Sequence, residues 1–244
     1  MGVAKLHSMD MFACINGIIC VGGFFYSGFC AFFLWNPATR ESKVVSYPTL
    51  PDCPAHLTIE PFPFNPIIRY AFGHDHNSND YTVVRIVNYK GTSLEIQLNC
   101  NLVHVYSLST GSWRQIMNTA IDHSNITWLD YSDFAYLNGV HHWCGSLFVT
   151  DDNGKPQFPE VIVSYDMSRE VCRLIRLPQQ DNAVYFMKML ALFNNCLAFI
   201  IVKADRTIPE KYFHIWMMCE YGVEDSWTKQ LVVGSLLGIR RSLV

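Results

Sequence analysis

The stretch VHVYSLSTGSWRQI, residues 103–116, decides the fold, because its pattern occurs four times along the chain. It has an apolar strand ending at Tyr106, a short polar turn, and a second strand that carries Trp113. The three related stretches are FFLWNPATRESKVV at 32–45, VIVSYDMSREVCRLIRLP at 161–178 and FHIWMMCEYGVEDSWTKQLVV at 213–233. Repeated hairpins are typical of architectures in which one structural unit is copied and stacked.

Each repeat has an aromatic residue at the end of its first strand, and a second turn signal lies upstream of it. The aromatic residues are Trp35, Tyr106, Tyr165 and Trp216, and the upstream strands begin after Asn16, Asn79, Asn138 and Asn194. Each unit therefore supplies at least three strands, and the variable stretches between units have room for a fourth. The spacing of the units is irregular, so the repeat is degenerate.

Several of these strands are apolar at both alternating positions, as in VIV at residues 161–163. A strand with one wet face alternates apolar and polar residues, whereas a strand covered on both faces does not. We therefore predict an all-β fold, a kelch-like β-propeller of degenerate repeated antiparallel blades. The alternative is a two-sheet sandwich built from the same strands. The chain ends soon after the fourth unit, so an incomplete ring is a further alternative.

Composition excludes some function classes. The net charge is −3 over 244 residues and the basic residues are scattered, so the sequence gives no reason to expect nucleic-acid binding. The nine cysteines form no Cys-x-x-Cys pair, which disfavours a zinc ribbon or a redox motif and favours buried reduced thiols.

Residues 11–35 carry no charge over a length that could span a bilayer, but Asn-Gly and Gly-Gly turns interrupt them. We predict buried strands there, with a membrane or export segment as the alternative.

Two histidine pairs are the main candidates for chemistry. His74 and His76 would lie on one side of an extended segment, which suits a metal, but the segment runs into a turn and no third ligand is identifiable. We interpret it as a solvated turn. His141 and His142 point to opposite faces of a strand, so we expect histidines satisfied within the sheet.

No catalytic constellation appears in the sequence, and we predict no catalytic residue, no metal and no cofactor. The chain has no Gly-x-Ser-x-Gly elbow, no P-loop and no dinucleotide fingerprint. The repeated aromatics are interpreted as packing residues. A sugar-binding module or an enzyme on the same scaffold is kept as the alternative.

Six motifs in order resemble one known family. They are LWNPATRE (34–41), FGHD with NDYTVVRIV (72–87), VYSLSTGSWRQI (105–116), YLNGVHHW (136–143), VSYDMSREVCRLIRLP (163–178) and IWMMCEYGVEDSWTKQLVV (215–233). The series resembles the F-box-associated domain of plant F-box proteins, including the pollen S-locus F-box class. Two departures are Ser42 and Thr82, where the family more often has an aromatic and a lysine.

The resemblance implies a non-catalytic domain that selects a protein target for an SCF-type ubiquitin ligase. The target would be a ribonuclease if the role is in pollen self-incompatibility. The N-terminal F-box that docks a Skp1-like adaptor is not recognisable, so we expect adaptor binding only if an F-box is supplied. We divide the chain into an N-terminal remnant at 1–15 and the domain at 16–244, and expect a cytoplasmic location with the nucleus as alternative. The loops at 47–66 and 150–159 are the expected contact surfaces.

Overall fold

A computed structural model describes residues 6–25, 30–46, 67–90, 99–117, 126–128, 134–178, 185–204 and 211–236. The chain divides into two compact units, residues 1–122 and 123–244. Each unit contains two antiparallel sheets whose strands follow one another in chain order. The described residues contain no α-helix and one short 3-10 turn, Glu224–Ser226.

Unit 1 contains sheets 1 and 2, each a four-stranded meander. Sheet 1 is formed by β1 (Leu6–Ile15), β2 (Ile18–Phe25), β3 (Cys30–Asn36) and β4 (Glu41–Ser46). Sheet 2 is formed by β5 (Ile67–Asp75), β6 (Asp80–Lys90), β7 (Asn99–Ser107) and β8 (Ser112–Ile116). Phe32 of sheet 1 meets Tyr70 of sheet 2 edge to face, with ring centroids 5.1 Å apart. The inner faces of these two sheets therefore pack directly on each other.

Unit 2 repeats this plan with one elaboration. Sheet 3 is formed by β9 (Ile126–Trp128), β10 (Phe134–Leu137), β11 (Val140–Leu147), β14 (Glu160–Asp166) and β15 (Val171–Arg176). A two-stranded ribbon, β12 (Val149–Thr150) and β13 (Pro156–Gln157), interrupts it. Sheet 4 is formed by β16 (Tyr185–Phe193), β17 (Cys196–Ala204), β18 (Lys211–Met218) and β19 (Trp227–Leu236). Strands β9 and β10 pair with successive parts of β11, so together they take the place of one first strand.

The four repeated stretches are the hairpins between the third and fourth strands of the four sheets. The residue seven positions after the anchor aromatic pairs directly with it in three of them: Trp35 with Ser42, Tyr106 with Trp113, and Tyr165 with Cys172. In sheet 4 a bulge shifts the register, so Trp216 pairs with Lys229 and Trp227 pairs with Met218. The sequence repeat is therefore a true structural repeat.

The middle strands are covered on both faces, as their double apolar pattern predicts. In β6 the consecutive pairs Val83–Val84 and Ile86–Val87 are all fully buried. Between sheets 3 and 4 a single core joins residues of both: Ala135, Leu137, Cys144, Ile162 and Ile175 with Leu190, Leu197, Phe199, Ile201 and Met218. Burial raises the pKa of Cys20 to about 12, so this thiol behaves as a small apolar side chain.

Two expectations about the start of the chain meet different outcomes. The uncharged segment at 11–35 is distributed over β1, β2 and β3, as the turn signals predicted. The boundary drawn at residue 16, by contrast, falls inside a hairpin. The Asn16–Gly17 turn joins two strands, and Leu6–Ile15 pairs with β2 along its length, so these residues belong to sheet 1 and are not a remnant. The fourth strand of each unit thus lies before its Asn turn.

Residues 185–193, whose apolar pattern fits either a helix or a strand, form the strand β16. A search of the described residues finds no helix long and apolar enough to cross a membrane. The Pro-rich loop at 47–66 lies outside the described residues.

Candidate functional site

One end of every sheet is closed by tight turns. The turns between the first and second strands contain Asn16 (φ 49°), Asn79 (φ 53°), Asn138 (φ 50°) and Asn194 (φ 49°), each in the left-handed region that Asn tolerates best after Gly. In sheets 1, 3 and 4 the loop is two residues long with positive φ at both, which is the requirement of a type I′ hairpin. Because these positions need a positive φ, few residue types other than Asn and Gly fit them.

The turns between the third and fourth strands lie at the same end of each sheet, and in sheets 1, 2 and 3 a side-chain oxygen stabilises the turn. Asn36 Oδ1 accepts the backbone N–H of Ala38 at 3.1 Å, and Asp166 Oδ1 accepts that of Ser168 at 3.0 Å. Ser107 has the equivalent place in sheet 2 and accepts the N–H of Thr110 at 3.1 Å. Side-chain oxygens of Asn, Asp and Ser stabilise turns in this way. This end of each sheet, which we call the tight-turn end, is therefore built for rigidity.

A tryptophan links neighbouring sheets in both units. Trp113 Nε1 donates to the carbonyl of Ser46 at 3.0 Å, and Trp227 Nε1 donates to the carbonyl of Arg176 at 3.0 Å. Both acceptors are the last residues of the preceding sheet's outer strand, so the two contacts are equivalent. We call each of them a tryptophan clasp. The clasps hold adjacent sheets in a defined position and give the repeated aromatics the packing role that the sequence predicted.

The other connections lie at the opposite end of each sheet, which we call the loop end. There the second strand passes to the third, and the fourth strand passes to the next sheet. The best described of these connections is in sheet 3, between β11 and β14. Residues 148–159 form a protruding β-ribbon, which we call ribbon 148–159.

Ribbon 148–159 is anchored at its base and exposed at its tip. The Leu147 N–H donates to Pro159 O at 2.8 Å, and Ser146 Oγ donates to Phe158 O at 3.1 Å. At the tip, Asp151 Oδ1 accepts the N–H groups of Asn153 and Lys155 at 3.0 and 2.8 Å. The predicted loop at 150–159 is thus an ordered hairpin.

The ribbon exposes apolar area next to charge. Phe158 is 50% exposed and meets Phe148 edge to face at 5.4 Å, and Val149 is 36% exposed. An exposed aromatic held by a rigid base is the kind of side chain that anchors protein interfaces. Below the ribbon, Lys188 Nζ contacts Glu160 Oε2 at 2.5 Å, which ties β14 to sheet 4. Phe158 is therefore exposed on a ribbon whose base is held by hydrogen bonds.

The two histidine pairs differ in structure. His142 is fully buried; its Nδ1 lies 3.1 Å from Ala135 O and its Nε2 lies 2.9 Å from the Tyr221 hydroxyl. Because a carbonyl only accepts, Nδ1 carries the proton and Nε2 accepts from Tyr221. Burial lowers the pKa of His142 to about 4, so the ring is neutral. His142 is a satisfied strand histidine, as predicted, and His141 on the other face lies among the rings of Phe134, Tyr136 and Trp143.

His74 and His76 are brought together at the turn after β5. Their Nδ1 atoms lie 3.3 Å apart, and His74 Nε2 lies 3.2 Å from Asn79 Oδ1. Among the described residues, no group of three or more His, Cys, Asp or Glu side chains is arranged to hold a metal ion. The interpretation as a solvated turn is therefore right for His76 and wrong for His74, which is buried near the end of strand β5.

Two grooves lie between neighbouring sheets near the tight-turn ends, one in each unit. The groove of unit 1 has a volume of about 580 Å³ and includes Trp35, and the groove of unit 2 has a volume of about 300 Å³ and includes Tyr221. Tyr106 and Tyr165 are buried, whereas Trp35 is 40% exposed. Of those three anchor aromatics, only Trp35 has a face open enough for the alternative sugar-stacking role.

Sequence reasoning missed the long-range contacts of the site. Nothing local to Tyr221 indicates a partner 79 residues away, and the clasp acceptors are backbone carbonyls, which any residue supplies. Phe158 did carry a signal, since it is a lone aromatic within a polar, Pro- and Gly-containing loop. These features together define an all-β repeat scaffold with hydrogen-bonded turns at one end of the sheets and, in sheet 3, an exposed ribbon at the other.

The chain belongs to the F-box associated beta propeller domain family, whose profile matches residues 4–242. This confirms both the predicted family and the predicted all-β, propeller-type fold class. Among curated relatives it is similar to the F-box protein CPR1 of Arabidopsis thaliana, with 28% identity over 82% of this chain and 47% of that protein. It is also similar to the F-box/kelch-repeat protein At3g23880 of the same plant, with 24% identity over 86% of this chain and 50% of that one. The chain spans about half the length of the curated relatives it matches.

Similarity to solved structures is low. YjhT aligns with a TM-score of 0.48 and 13% identity, covering 94% of this chain and 68% of that one. A Bombyx mori GH32 beta-fructofuranosidase in complex with sucrose aligns with a TM-score of 0.42 and 9% identity, covering 88% of this chain and 47% of that enzyme. Likeness at this level carries no argument about the chemistry of this chain.

Proposed function

We propose that this chain is the target-recognition module of an F-box-type ubiquitin ligase, and that it binds a protein target without catalysing a reaction. Family membership and F-box relatives support the recognition role. The observation that carries the placement of the site is ribbon 148–159, an ordered hairpin at the loop end of sheet 3 that exposes Phe158. Recognition residues are commonly found on loops that a rigid scaffold positions.

Within the loop end, ribbon 148–159 is the proposed contact element. It combines an exposed aromatic, a hydrogen-bonded base and a tip stabilised by Asp151. Preorganised elements of this kind lose little conformational freedom on binding. The Pro-rich segment at 47–66 is proposed as a second contact element on its sequence alone.

The finer assignments depend on the resemblance stated above. An SCF-type complex requires a Skp1-like adaptor, and we propose that this chain recruits one only when an F-box is fused to it. A ribonuclease target and a role in self-incompatibility are proposed on the resemblance to the pollen S-locus class. A cytoplasmic or nuclear location is proposed because ubiquitin ligases of this class act there.

The test is a capture experiment from plant extract with the tagged full chain and two single variants. Phe158→Ser changes the ribbon, and Val223→Ser changes a residue that is 40% exposed at the tight-turn end of sheet 4. We expect Phe158→Ser to reduce recovery of the captured target about tenfold, as loss of an interface anchor does. Val223→Ser should leave recovery unchanged. Equal recovery with Phe158→Ser, or a loss confined to Val223→Ser, would contradict the placement.

A second arm tests the role itself. The chain fused to an F-box should recover a Skp1-like adaptor together with the target and promote ubiquitination of that target. The chain alone should recover the target without the adaptor. Failure of the fusion to ubiquitinate a protein that it captures would overturn the ligase role while leaving the binding site intact.

A further inference from the structure

Two imidazoles meet at the end of β5, and the recognition function does not use their geometry. His74 is the last residue but one of the strand and is 8% exposed, and His76 is exposed in the turn. Their Nδ1 atoms are 3.3 Å apart, and their rings are inclined at 73° with centroids 4.9 Å apart. The rings are therefore not stacked, and one nitrogen of each faces the other.

The hydrogen bond from His74 to Asn79 determines which nitrogen is available. An amide oxygen only accepts, so His74 Nε2 must donate to Asn79 Oδ1 across the 3.2 Å separation. Neutral His74 therefore has its lone pair on Nδ1, directed at His76. Histidine ligands of metals characteristically donate their other ring N–H to an oxygen acceptor in this way, which fixes the tautomer.

The distance between the two nitrogens fits shared coordination. With metal–nitrogen bonds of about 2.0 to 2.1 Å, two ligands at a tetrahedral angle lie about 3.3 to 3.4 Å apart. The observed 3.3 Å between the two Nδ1 atoms matches the tetrahedral separation. The His74 ring is also supported, since it packs edge to face on Tyr81 with ring centroids 4.9 Å apart. The turn itself is fixed by Asp75, whose Oδ1 accepts the Asn77 N–H at 2.8 Å.

We propose that His74 and His76 form a two-histidine binding site for a borderline transition-metal cation, Cu²⁺ or Zn²⁺, through their Nδ1 atoms. Imidazole suits these cations, whereas Ca²⁺ and Mg²⁺ prefer oxygen ligands. Water completes the coordination. The metal replaces the proton between the rings, and His76 moves to its Nε2–H tautomer by exchange with solvent, so no net proton is released by a neutral pair.

The test uses the full chain and Cu²⁺, which nitrogen sites bind most tightly among the first-row divalent ions. We expect calorimetry to show one site and electron paramagnetic resonance of the Cu²⁺ complex to show two nitrogen ligands. His76→Gln should abolish both signals, and because His76 is exposed this variant should keep the fold. Asn79→Gly keeps the positive φ but removes the acceptor, and should weaken binding about tenfold.

His214→Gln is the matched control, because His214 is a half-buried strand histidine outside the turn. It should bind Cu²⁺ as the unchanged chain does, and Ca²⁺ should give no heat with any variant. Retention of two-nitrogen Cu²⁺ binding by His76→Gln, or absence of Cu²⁺ binding by the unchanged chain, would overturn the assignment.

Discussion

The turns between the third and fourth strands of sheets 2 and 4 differ in length and are stabilised by different sets of contacts. In sheet 2 the turn between the third and fourth strands is residues 108–111, and in sheet 4 it is residues 219–226, four residues longer. Within its own sheet the short turn is held by Asp80, whose Oδ1 accepts the Ser109 N–H at 3.0 Å and whose Oδ2 accepts the Ser109 hydroxyl at 2.9 Å. Lys43 Nζ of sheet 1 also donates to the Leu108 carbonyl of this turn at 3.2 Å. The long turn has internal hydrogen bonds, such as Ser226 Oγ to Val223 O at 2.6 Å, and two of its side chains also contact sheet 3.

Tyr221 and Glu224 hold the long turn to sheet 3. The Tyr221 hydroxyl donates to His142 Nε2 at 2.9 Å, and Glu224 Oε1 accepts the Arg176 N–H at 2.8 Å. Burial, reinforced by the Asp166 carboxylate, raises the pKa of Tyr221, so the hydroxyl stays protonated as this donor. Both sheets nevertheless keep the same tryptophan clasp. The tryptophan clasp is thus kept although the two turns differ in length. The longer turn gains additional contacts to the adjacent sheet.

The largest expected effect comes from removing the histidine that holds the long turn. His142→Ala should lower the free energy of unfolding by about 3 to 4 kcal/mol, because it leaves a cavity in place of a fully buried ring and removes both of its hydrogen bonds. Hydrogen exchange measured by mass spectrometry should show faster exchange in residues 219–226 and unchanged exchange in 108–111.

Asp80→Ala is the matched variant for the short turn. It should give the reverse pattern, with faster exchange in 108–111 and unchanged exchange in 219–226. If His142→Ala left exchange in 219–226 unchanged, the view that the longer turn depends on the neighbouring sheet would be wrong.

Acid should destabilise both units over one pH window. Burial lowers the pKa of His142 in unit 2 to about 4, and burial together with the Arg85 charge lowers that of His104 in unit 1 to about 4. Since the unfolded-state pKa is about 6.5, the unfolded chain binds more protons below that value, and stability falls as pH drops from about 6.5 to 4. The loss should reach about 3 kcal/mol for His142.

Urea unfolding at pH 7, 5.5 and 4.5 measures this slope. His142→Gln removes one of the two titrating rings, so its unfolding free energy should depend less steeply on pH than that of the unchanged chain. An identical slope in both proteins would contradict the assignment of His142 as a neutral buried ring.

The smallest expected effect tests whether the two clasps are equivalent. Trp113→Phe and Trp227→Phe each remove one N–H donor and keep an aromatic ring, so each should lower the unfolding free energy by about 1 kcal/mol. Hydrogen exchange should rise in β4 for the first variant and in β15 for the second. A clearly larger effect of one substitution would show that the two clasps are not equivalent.

Local chemistry explains how much of this fold the sequence revealed. The hairpin at 103–116 was recognisable because strand alternation, a polar turn and paired aromatics are all encoded within fourteen residues. The Asn turns were visible for the same reason, since positive φ selects Asn and Gly. An Asn-Gly turn marks the start of the strand that follows it but does not show that another strand precedes it. Strand β1, which precedes the Asn16–Gly17 turn, was therefore not predicted.

The candidate site was less accessible to prediction because its contacts are long-range. The clasps join residues 67 and 51 positions apart, and one partner in each is a backbone carbonyl with no side-chain signature. The sequence indicated a surface loop at 150–159, since loops between buried strands lie at the surface, and its role as a contact surface stays a prediction. It could not indicate the ordered ribbon, because the hydrogen bonds at its base depend on how β11 and β14 pair.

The most direct test of the central claim is a hydrogen-exchange footprint of the full chain with and without a target captured as described above. The account predicts slower exchange on binding at the loop ends, including ribbon 148–159, and unchanged exchange in the tight turns at 108–111 and 219–226. Protection confined to those tight turns, with ribbon 148–159 unaffected, would contradict it.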